Sequence, residues 1–251
     1  MPLLPLLPAG HIVRGMRLLL FDVDGTLINS NRAGREAMIY ALEELFGTAG
    51  PVDDYSMAGK TDPLIISELL QAAGIAAADV EARLEAVYTL MAQHGQSIFP
   101  DKRIQPCVGV PALLDRLQER TDVIIGLVTG NIASTAPLKL AAAGIDPSQF
   151  RVGAYGSDAK DRNLLPELAM RRASWLTGGT FTGEQTVIIG DTPADIVCAR
   201  HSSARSLAVA SGSHSLETLA RYNPDYLLPN LADTAQVMEI LLEVAGERAD
   251  A

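Results

Sequence analysis

Two aspartates, Asp22 and Asp24, stand directly after an apolar run that spans residues 18–21. Four consecutive apolar residues without polar alternation are typical of a strand that is buried on both faces of a parallel sheet. Ligands of such sheets bind at the carboxyl ends of strands, so both carboxylates stand where this kind of fold places its chemistry. Two acids so close together repel one another, and a hard divalent cation such as Mg2+ would offset that repulsion. The alternative is an ordinary turn, because Asp and the following Gly25 are common turn residues.

The composition narrows the classes of function. The chain has 251 residues, of which 48% are hydrophobic, which suffices for one large domain or for a core with a smaller appendage. Thirty acidic against twenty basic residues give a formal net charge of -10, which argues against a nucleic-acid or anionic-membrane surface. No apolar window reaches the length of a membrane span. Cys107 and Cys198 are too few for a disulfide framework, so we expect a reducing, cytoplasmic setting.

The order of the sequence patterns predicts an α/β core that is interrupted by a helical insertion. Residues 31–104 contain three helical patterns of apolar residues and no strand pattern, and the third helix reaches the region of His94. After this stretch, apolar strands alternate with helices, as in a parallel sheet with crossover helices. We therefore expect three segments, namely an N-terminal extension over 1–15, a doubly wound core over 16–30 and 105–251, and an all-helical insertion over 31–104.

Two later strands also end in small or acidic residues. These residues are Thr129, Gly130 and Asn131 after the apolar run 123–128, and Asp191 and Asp195 after the run 187–190. The carboxyl ends of parallel strands meet at one edge of a sheet, so we expect these residues to lie near Asp22. Taken alone, Thr129 would be explained as part of a helix-capping loop. The conjunction of three polar strand ends favours a functional site.

These three segments, with a basic residue between the second and the third, resemble the haloacid dehalogenase superfamily of phosphatases that form an aspartyl-phosphate. The likeness covers nearly the whole chain from residue 16, with the helical insertion as the family's cap, and is nearest to phosphoglycolate phosphatase-like hydrolases. It implies a Rossmann-like core and Mg2+-dependent hydrolysis of a small phosphorylated metabolite. Asp22 would be the nucleophile, and Asp24 the general acid that turns into the base of the second step.

The resemblance implies roles for further residues. Mg2+ would be held by the Asp22 carboxylate, the Asp24 backbone carbonyl and Asp191, with Asp195 in or near the coordination shell. The implied phosphate-binding set comprises Gly25, Thr129, Gly130, Asn131 and Lys60. Lys60 lies in a cap loop that closes over the substrate in relatives, whereas a solvated surface lysine is the default interpretation.

One position departs from the family pattern. The third motif usually carries a lysine, and here the choice lies between Lys160 and Arg162. We favour Arg162, because the run 162–166 looks like the lysine-plus-proline segment with arginine substituted. Either cation would keep Asp22 ionised, although arginine is not a simple equivalent of lysine.

Several alternatives remain open or are disfavoured by the sequence. A β-phosphoglucomutase-like phosphosugar mutase shares the fold, both aspartates and the cap. Dehalogenases and phosphonatases lack the second aspartate, which is present here as Asp24. A phospho-aspartate signalling domain would be about half as long and have no helical insertion, and the phosphate-cradling loop suggested by Gly59-Lys60-Thr61 lacks its first glycine at Asp54. We expect no nucleic-acid or membrane partner, and either a monomer or a homodimer.

Overall fold

The computed structural model describes residues 15–243, so the expected N-terminal extension lies outside the described residues except for Gly15. Within this range the strands are β1 Arg17–Phe21, β2 Ile28–Asn29, β3 Gln105–Pro106, β4 Val123–Thr129, β5 Val152–Tyr155, β6 Thr186–Gly190, β7 Arg205–Val209 and β8 Tyr226–Leu228. The helices are α1 Ala33–Phe46, α2 Asp62–Ala72, α3 Ala77–Ile98, α4 Val110–Gln118, α5 Ala136–Ala142, α6 Leu165–Thr177, α7 Pro193–His201, α8 Leu216–Ala220 and α9 Thr234–Leu242. None of these helices has the length and apolar character needed to cross a membrane.

Six strands form one sheet in the order β5-β4-β1-β6-β7-β8. Every neighbouring pair in this sheet is parallel. The first strand, β1, lies in the middle of the sheet, with β4 and β5 on one side and β6, β7 and β8 on the other. This is the doubly wound, Rossmann-like arrangement predicted from the sequence.

The central strand β1 is buried on both faces. Leu19 and Phe21 belong to an apolar cluster that includes residues of α4, α5 and α9. Leu18 and Leu20 belong to a second cluster with α6 and α7. Because successive side chains of a strand point to opposite faces, a strand between two helical layers needs an apolar residue at every position. Each fully buried leucine stabilises the fold by about 1.5–3 kcal/mol.

The insertion is all-helical, as predicted. Helices α1, α2 and α3 surround a separate apolar cluster that contains Leu42, Leu69 and Val87. Ile132, from the loop after β4, joins this cluster and packs the insertion onto the core. Strands β2 and β3 form an antiparallel pair where the chain leaves and re-enters the core. The sequence does not predict this pair, because two-residue strands are too short to carry a periodic pattern. The division of the chain at 31 and 104 lies beside this pair and stays a prediction.

The third helix of the insertion is longer than expected. α3 continues past His94 to Ile98, and the His94 ring stacks on Tyr40 with 3.9 Å between centroids. The assignment of His94 to the end of the helix is therefore wrong. The glycine after it is a packing residue, because a Cβ on Gly95 would lie 2.7 Å from the ring of Phe99. Helix α8 was also not predicted, since five residues carry little helical periodicity.

Candidate active site

The ends of β1, β4 and β6 bring the predicted residues to one edge of the sheet. β1 pairs with β4 on one side and with β6 on the other, so Asp22, Thr129 and Asp191 emerge side by side. The chain then turns away at Gly25, whose φ of 84° lies in the region that favours glycine. These residues line a cavity of about 590 Å³, and the insertion contributes Lys60 and other residues to its wall. The prediction that the three strand ends meet is confirmed.

Three buried aspartates form a compact acidic cluster. Asp22, Asp191 and Asp195 each offer a carboxylate oxygen, and these oxygens lie within 4.8 Å of one another. Burial raises the pKa of Asp22 to about 6, although Arg162 opposes this shift. Burial, with the negative charges of Asp22 and Asp195, raises the pKa of Asp191 to about 8. Keeping the carboxylates of this cluster ionised therefore costs free energy, and a bound cation would reduce that cost.

Glycines on neighbouring loops make room for the cluster. A Cβ at Gly25 or at Gly212 would overlap the carboxylate of Asp191, and a Cβ at Gly190 would overlap Asp195. The backbone N–H of Gly25 donates to the carbonyl of Ile28 at 2.8 Å. Gly25 therefore shapes the acidic loop, and its N–H is engaged in the turn instead of pointing to a phosphate.

Arg162 is the basic residue that reaches the nucleophile candidate. Its guanidinium nitrogen Nη2 lies 3.2 Å from Asp22 Oδ1 and 2.5 Å from Asp195 Oδ1, and all three side chains are buried. The two carboxylates raise the pKa of the guanidinium above its usual value against the opposing effect of burial. Lys160 instead faces the insertion, where its Nζ donates to Ser67 Oγ at 3.2 Å. These contacts agree with the choice of Arg162 over Lys160, because Arg162 contacts Asp22 and Lys160 contacts the insertion.

Asp195 is occupied by hydrogen bonds on both carboxylate oxygens. Oδ1 accepts from Arg162, and Oδ2 accepts from the backbone N–H and the hydroxyl of Thr192 at 3.0 and 2.7 Å. The latter pair is a capping box at the start of α7, in which the third residue of the helix reaches back to its N-cap. Asp195 thus anchors Arg162 beside the cluster, which fits a position near a metal better than a direct ligand.

Asp24 lies in a hydrogen-bond network with Asn131 and Lys139, and the sequence patterns do not predict the lysine. Its Oδ2 accepts from Asn131 Nδ2 and from Lys139 Nζ, both at 2.7 Å. Burial alone would raise the pKa of Asp24, but Lys139, with the side chains of Ser30 and Asn131, brings it below its ordinary value. Lys139 lies in no motif. Its sequence signal is that no other charged residue occurs between Asp122 and Asp146.

Thr129 and Asn131 share this network. Thr129 is fully buried, and its Oγ1 accepts from Asn131 Nδ2 at 2.8 Å. Helix α5 begins only at Ala136, so the helix-capping interpretation of Thr129 is wrong. The hydroxyl proton of Thr129 stays available for an oxygen in the cavity, whereas the Asn131 side chain is committed to Asp24 and Lys139.

A loop of the insertion is docked on the core beside these residues. The backbone N–H of Asp62 donates to the Gly130 carbonyl at 2.7 Å, and Asp62 Oδ2 accepts from the Ile132 N–H at 2.9 Å. Thr61 Oγ1 donates to the carbonyl of Lys160 at 2.6 Å. A Cβ at Gly130 would overlap the carbonyl of the adjacent loop. Gly130 therefore permits the close approach of the insertion, which forms part of the cavity wall.

Lys60 belongs to this docked loop and lines the cavity. Its Nζ lies 2.6 Å from Glu68 Oε2 and donates to the Tyr55 hydroxyl at 2.8 Å. The ammonium also lies 4.3 Å from the centroid of the Tyr55 ring. Lys60 is thus neither a free surface lysine nor an unpaired cation, and a phosphate would have to compete with Glu68 for it.

A family comparison accounts for this arrangement. The family described as haloacid dehalogenase-like hydrolase matches residues 19–209, which include the end of β1, all of β4 and β6, and the whole insertion. The chain belongs to that family. Its haloacid dehalogenase-like core thus carries the acidic cluster at the strand ends and the helical cap above it.

Curated relatives of this haloacid dehalogenase-like hydrolase carry phosphatase names. The chain is 26% identical over 231 residues to Pyrophosphatase PpaX of Halalkalibacterium halodurans, covering 92% of this chain and 97% of that protein. It is 26% identical over 235 residues to Phosphoglycolate phosphatase of Photorhabdus laumondii, covering 90% and 93%. A solved hydrolase from Pseudomonas syringae has the same fold, with a TM-score of 0.68, 20% identity and coverage of 90% and 99%. The chain is a hydrolase of the phosphatase type, as predicted.

Proposed function

We propose that this chain is a Mg2+-dependent phosphatase that hydrolyses a small phosphate monoester through an aspartyl-phosphate on Asp22. The observation that carries the proposal is the contact between the buried Asp22 carboxylate and Arg162, within the acidic cluster and in the lining of a cavity. A structural ion pair alone needs neither a cavity nor further carboxylates beside it. A nucleophile that must attack a phosphate dianion needs nearby positive charge.

Four side chains of the site have roles in this two-step reaction. Asp22 attacks phosphorus, and Arg162 holds its carboxylate in place and offsets part of the charge of the transferring group. Thr129 donates its hydroxyl to a phosphoryl oxygen. Asp24 gives a proton to the leaving oxygen as the P–O bond breaks, and then removes one from the water that cleaves the aspartyl-phosphate.

The residues present fit a bound Mg2+. The donors are all oxygens, and burial together with the neighbouring negative charges raises the pKa values of Asp22 and Asp191. Asp22, Asp191 and the backbone carbonyl of Asp24 would hold the ion, with Asp195 near the shell. When bound, the ion would offset the repulsion between the carboxylate nucleophile and the phosphate.

The cavity supports a small substrate. A volume of about 590 Å³ lies within the range of small-molecule pockets, about 300–1,000 Å³. Phosphoglycolate and pyrophosphate, named by the relatives, are the first substrates to assay. A cytoplasmic location and a monomeric or homodimeric state stay predictions.

A screen of phosphate release over small phosphorylated metabolites, with Mg2+ and with EDTA, tests the proposal. We expect turnover with Mg2+ and loss of it with EDTA. Full turnover in EDTA would contradict the metal assignment, and the absence of any phosphate release would contradict the proposed reaction. If a hexose phosphate were isomerised when a bisphosphate activator is added, the mutase alternative would replace it.

A further inference from the structure

Lys139 is a buried lysine that none of the motifs includes. Its side chain is only 5% exposed, although lysine is rarely buried without a partner. The ammonium donates to Asp24 Oδ2 at 2.7 Å and to Asn131 Oδ1 at 2.5 Å. Lys139 starts from α5, 115 residues away from Asp24 in sequence, so the fold itself brings the two together.

The network gives the Asp24 carboxylate one orientation. A lysine only donates, so the amide oxygen of Asn131 must face Lys139, and the amide nitrogen must face Asp24. Both donors therefore bind the same carboxylate oxygen, Oδ2. The other oxygen, Oδ1, is buried and has no hydrogen-bond partner among the described residues. The hydrogen bonds at Oδ2 therefore hold the carboxylate, in a side chain that is 34% exposed and lines the cavity.

The cap also borders the site that holds the Lys139 side chain. A Cβ on Gly34, in the first turns of α1, would lie 2.5 Å from Lys139 Nζ and 2.8 Å from its Cε. Gly34 has an ordinary helical backbone, so an alanine there would suit the helix and would crowd only the lysine. Helix α1 is the first helix of the insertion, and the position of the ammonium thus depends on how the cap packs against the core.

We propose that Lys139 is a positioning residue that acts through Asp24. By binding Oδ2 it fixes the orientation of the carboxylate that serves the leaving oxygen in the first step and water in the second, and the absence of a side chain at Gly34 leaves room for its ammonium. The proton itself passes between Asp24 and the substrate oxygen, and Lys139 keeps its own protons. This inference rests on the proposed function.

The kinetic test uses phosphoglycolate with Mg2+ or, if it is not turned over, another alkyl phosphate monoester from the screen, because an alkyl leaving oxygen must be protonated as the P–O bond breaks. Lys139→Met keeps the length of the side chain and removes its charge, and Gly34→Ala displaces the ammonium without removing any charge. We expect both variants to lower kcat about 10- to 100-fold with little change in KM, because misorientation of a proton-transfer group costs rate and not binding. Lys102→Met is the matched control, since Lys102 pairs with Glu36 outside the cavity and should leave kcat unchanged.

A double-mutant cycle separates positioning from a general structural role. In an Asp24→Asn background, Lys139→Met should have little further effect, because there is no proton transfer left to orient. An equal loss in both backgrounds, or wild-type kcat in Lys139→Met and Gly34→Ala, would overturn the proposal.

Crystal structures of Lys139→Met and Gly34→Ala give a readout that needs no turnover. We expect the Asp24 carboxylate to leave its wild-type orientation in both variants, and an unchanged orientation would overturn the role of Lys139 even if the phosphatase assignment also failed. A wild-type protein that releases no phosphate would count against the proposed function, whereas an active wild type with an equally active Lys139→Met would count against this inference alone.

Discussion

In the metal-free protein, Asp191 should make the free energy of unfolding depend on pH. Burial and the charges of Asp22 and Asp195 raise its pKa from 3.8 to about 8. The unfolded chain therefore releases this proton at low pH, while the folded protein retains it up to about pH 8. A folded state that binds more protons than the unfolded state loses stability as pH rises.

The magnitude follows from the pKa. One pKa unit corresponds to about 1.4 kcal/mol. Because Asp191 of the folded protein is half ionised only at about pH 8, the free energy of unfolding falls by about 2 kcal/mol between about pH 6 and pH 8. For a chain of this size, that loss lowers Tm by about 4–8 °C. Asp191→Asn removes the titration and keeps an oxygen that can accept from Thr26, as Asp191 Oδ1 does at 3.1 Å.

The assay is thermal unfolding in EDTA and in Mg2+ at both pH values. In EDTA we expect the Tm of the wild type to fall with pH by several degrees more than that of Asp191→Asn, and the variant to melt above the wild type at the higher pH. Mg2+ should raise the Tm of the wild type and have much less effect on the variant, because a ligand stabilises only the state that binds it. Parallel pH curves for the two proteins in EDTA would refute the reasoning.

The remaining predictions concern the catalytic side chains. Asp22→Asn should form no phospho-enzyme in acid-quenched mass spectra, and Asp24→Asn should lower kcat by about 10²–10⁴-fold; a phosphorylated Asp22→Asn protein would place the nucleophile elsewhere. Arg162→Ala should lose more activity than Lys160→Ala. It should also lower the free energy of unfolding in urea by about 3–5 kcal/mol, because it leaves two buried carboxylates without their cation. A larger loss of activity in Lys160→Ala would move the third-motif role to Lys160. Lys60→Ala should lower kcat/KM for the true substrate more than for a bulky artificial ester, and equal, near-wild-type kinetics on both would make Lys60 a structural residue of the cap.

The sequence determined the features that local pattern can carry. The unbroken apolar run of β1 predicted a strand between two layers, and this holds because Leu18 and Leu19 face different helical layers. The polar residues after β1, β4 and β6 predicted a shared edge, since parallel strands align their carboxyl ends. The helical insertion followed from apolar spacing alone. The short β2–β3 pair and the continuation of α3 past His94 did not, because two-residue strands have no period and a glycine inside a helix mimics a stop.

The tertiary structure decided which polar groups meet. Sequence left Arg162 and Lys160 as rivals two residues apart. Only the position of the turn that precedes α6 shows that Arg162 reaches Asp22 while Lys160 contacts the cap. The Lys60–Glu68 pair and the Lys139–Asp24 pair were likewise hidden. Hydrophobic periodicity reports the face on which a residue lies, but a contact between side chains more than a hundred residues apart depends on the distance and direction that the assembled fold imposes.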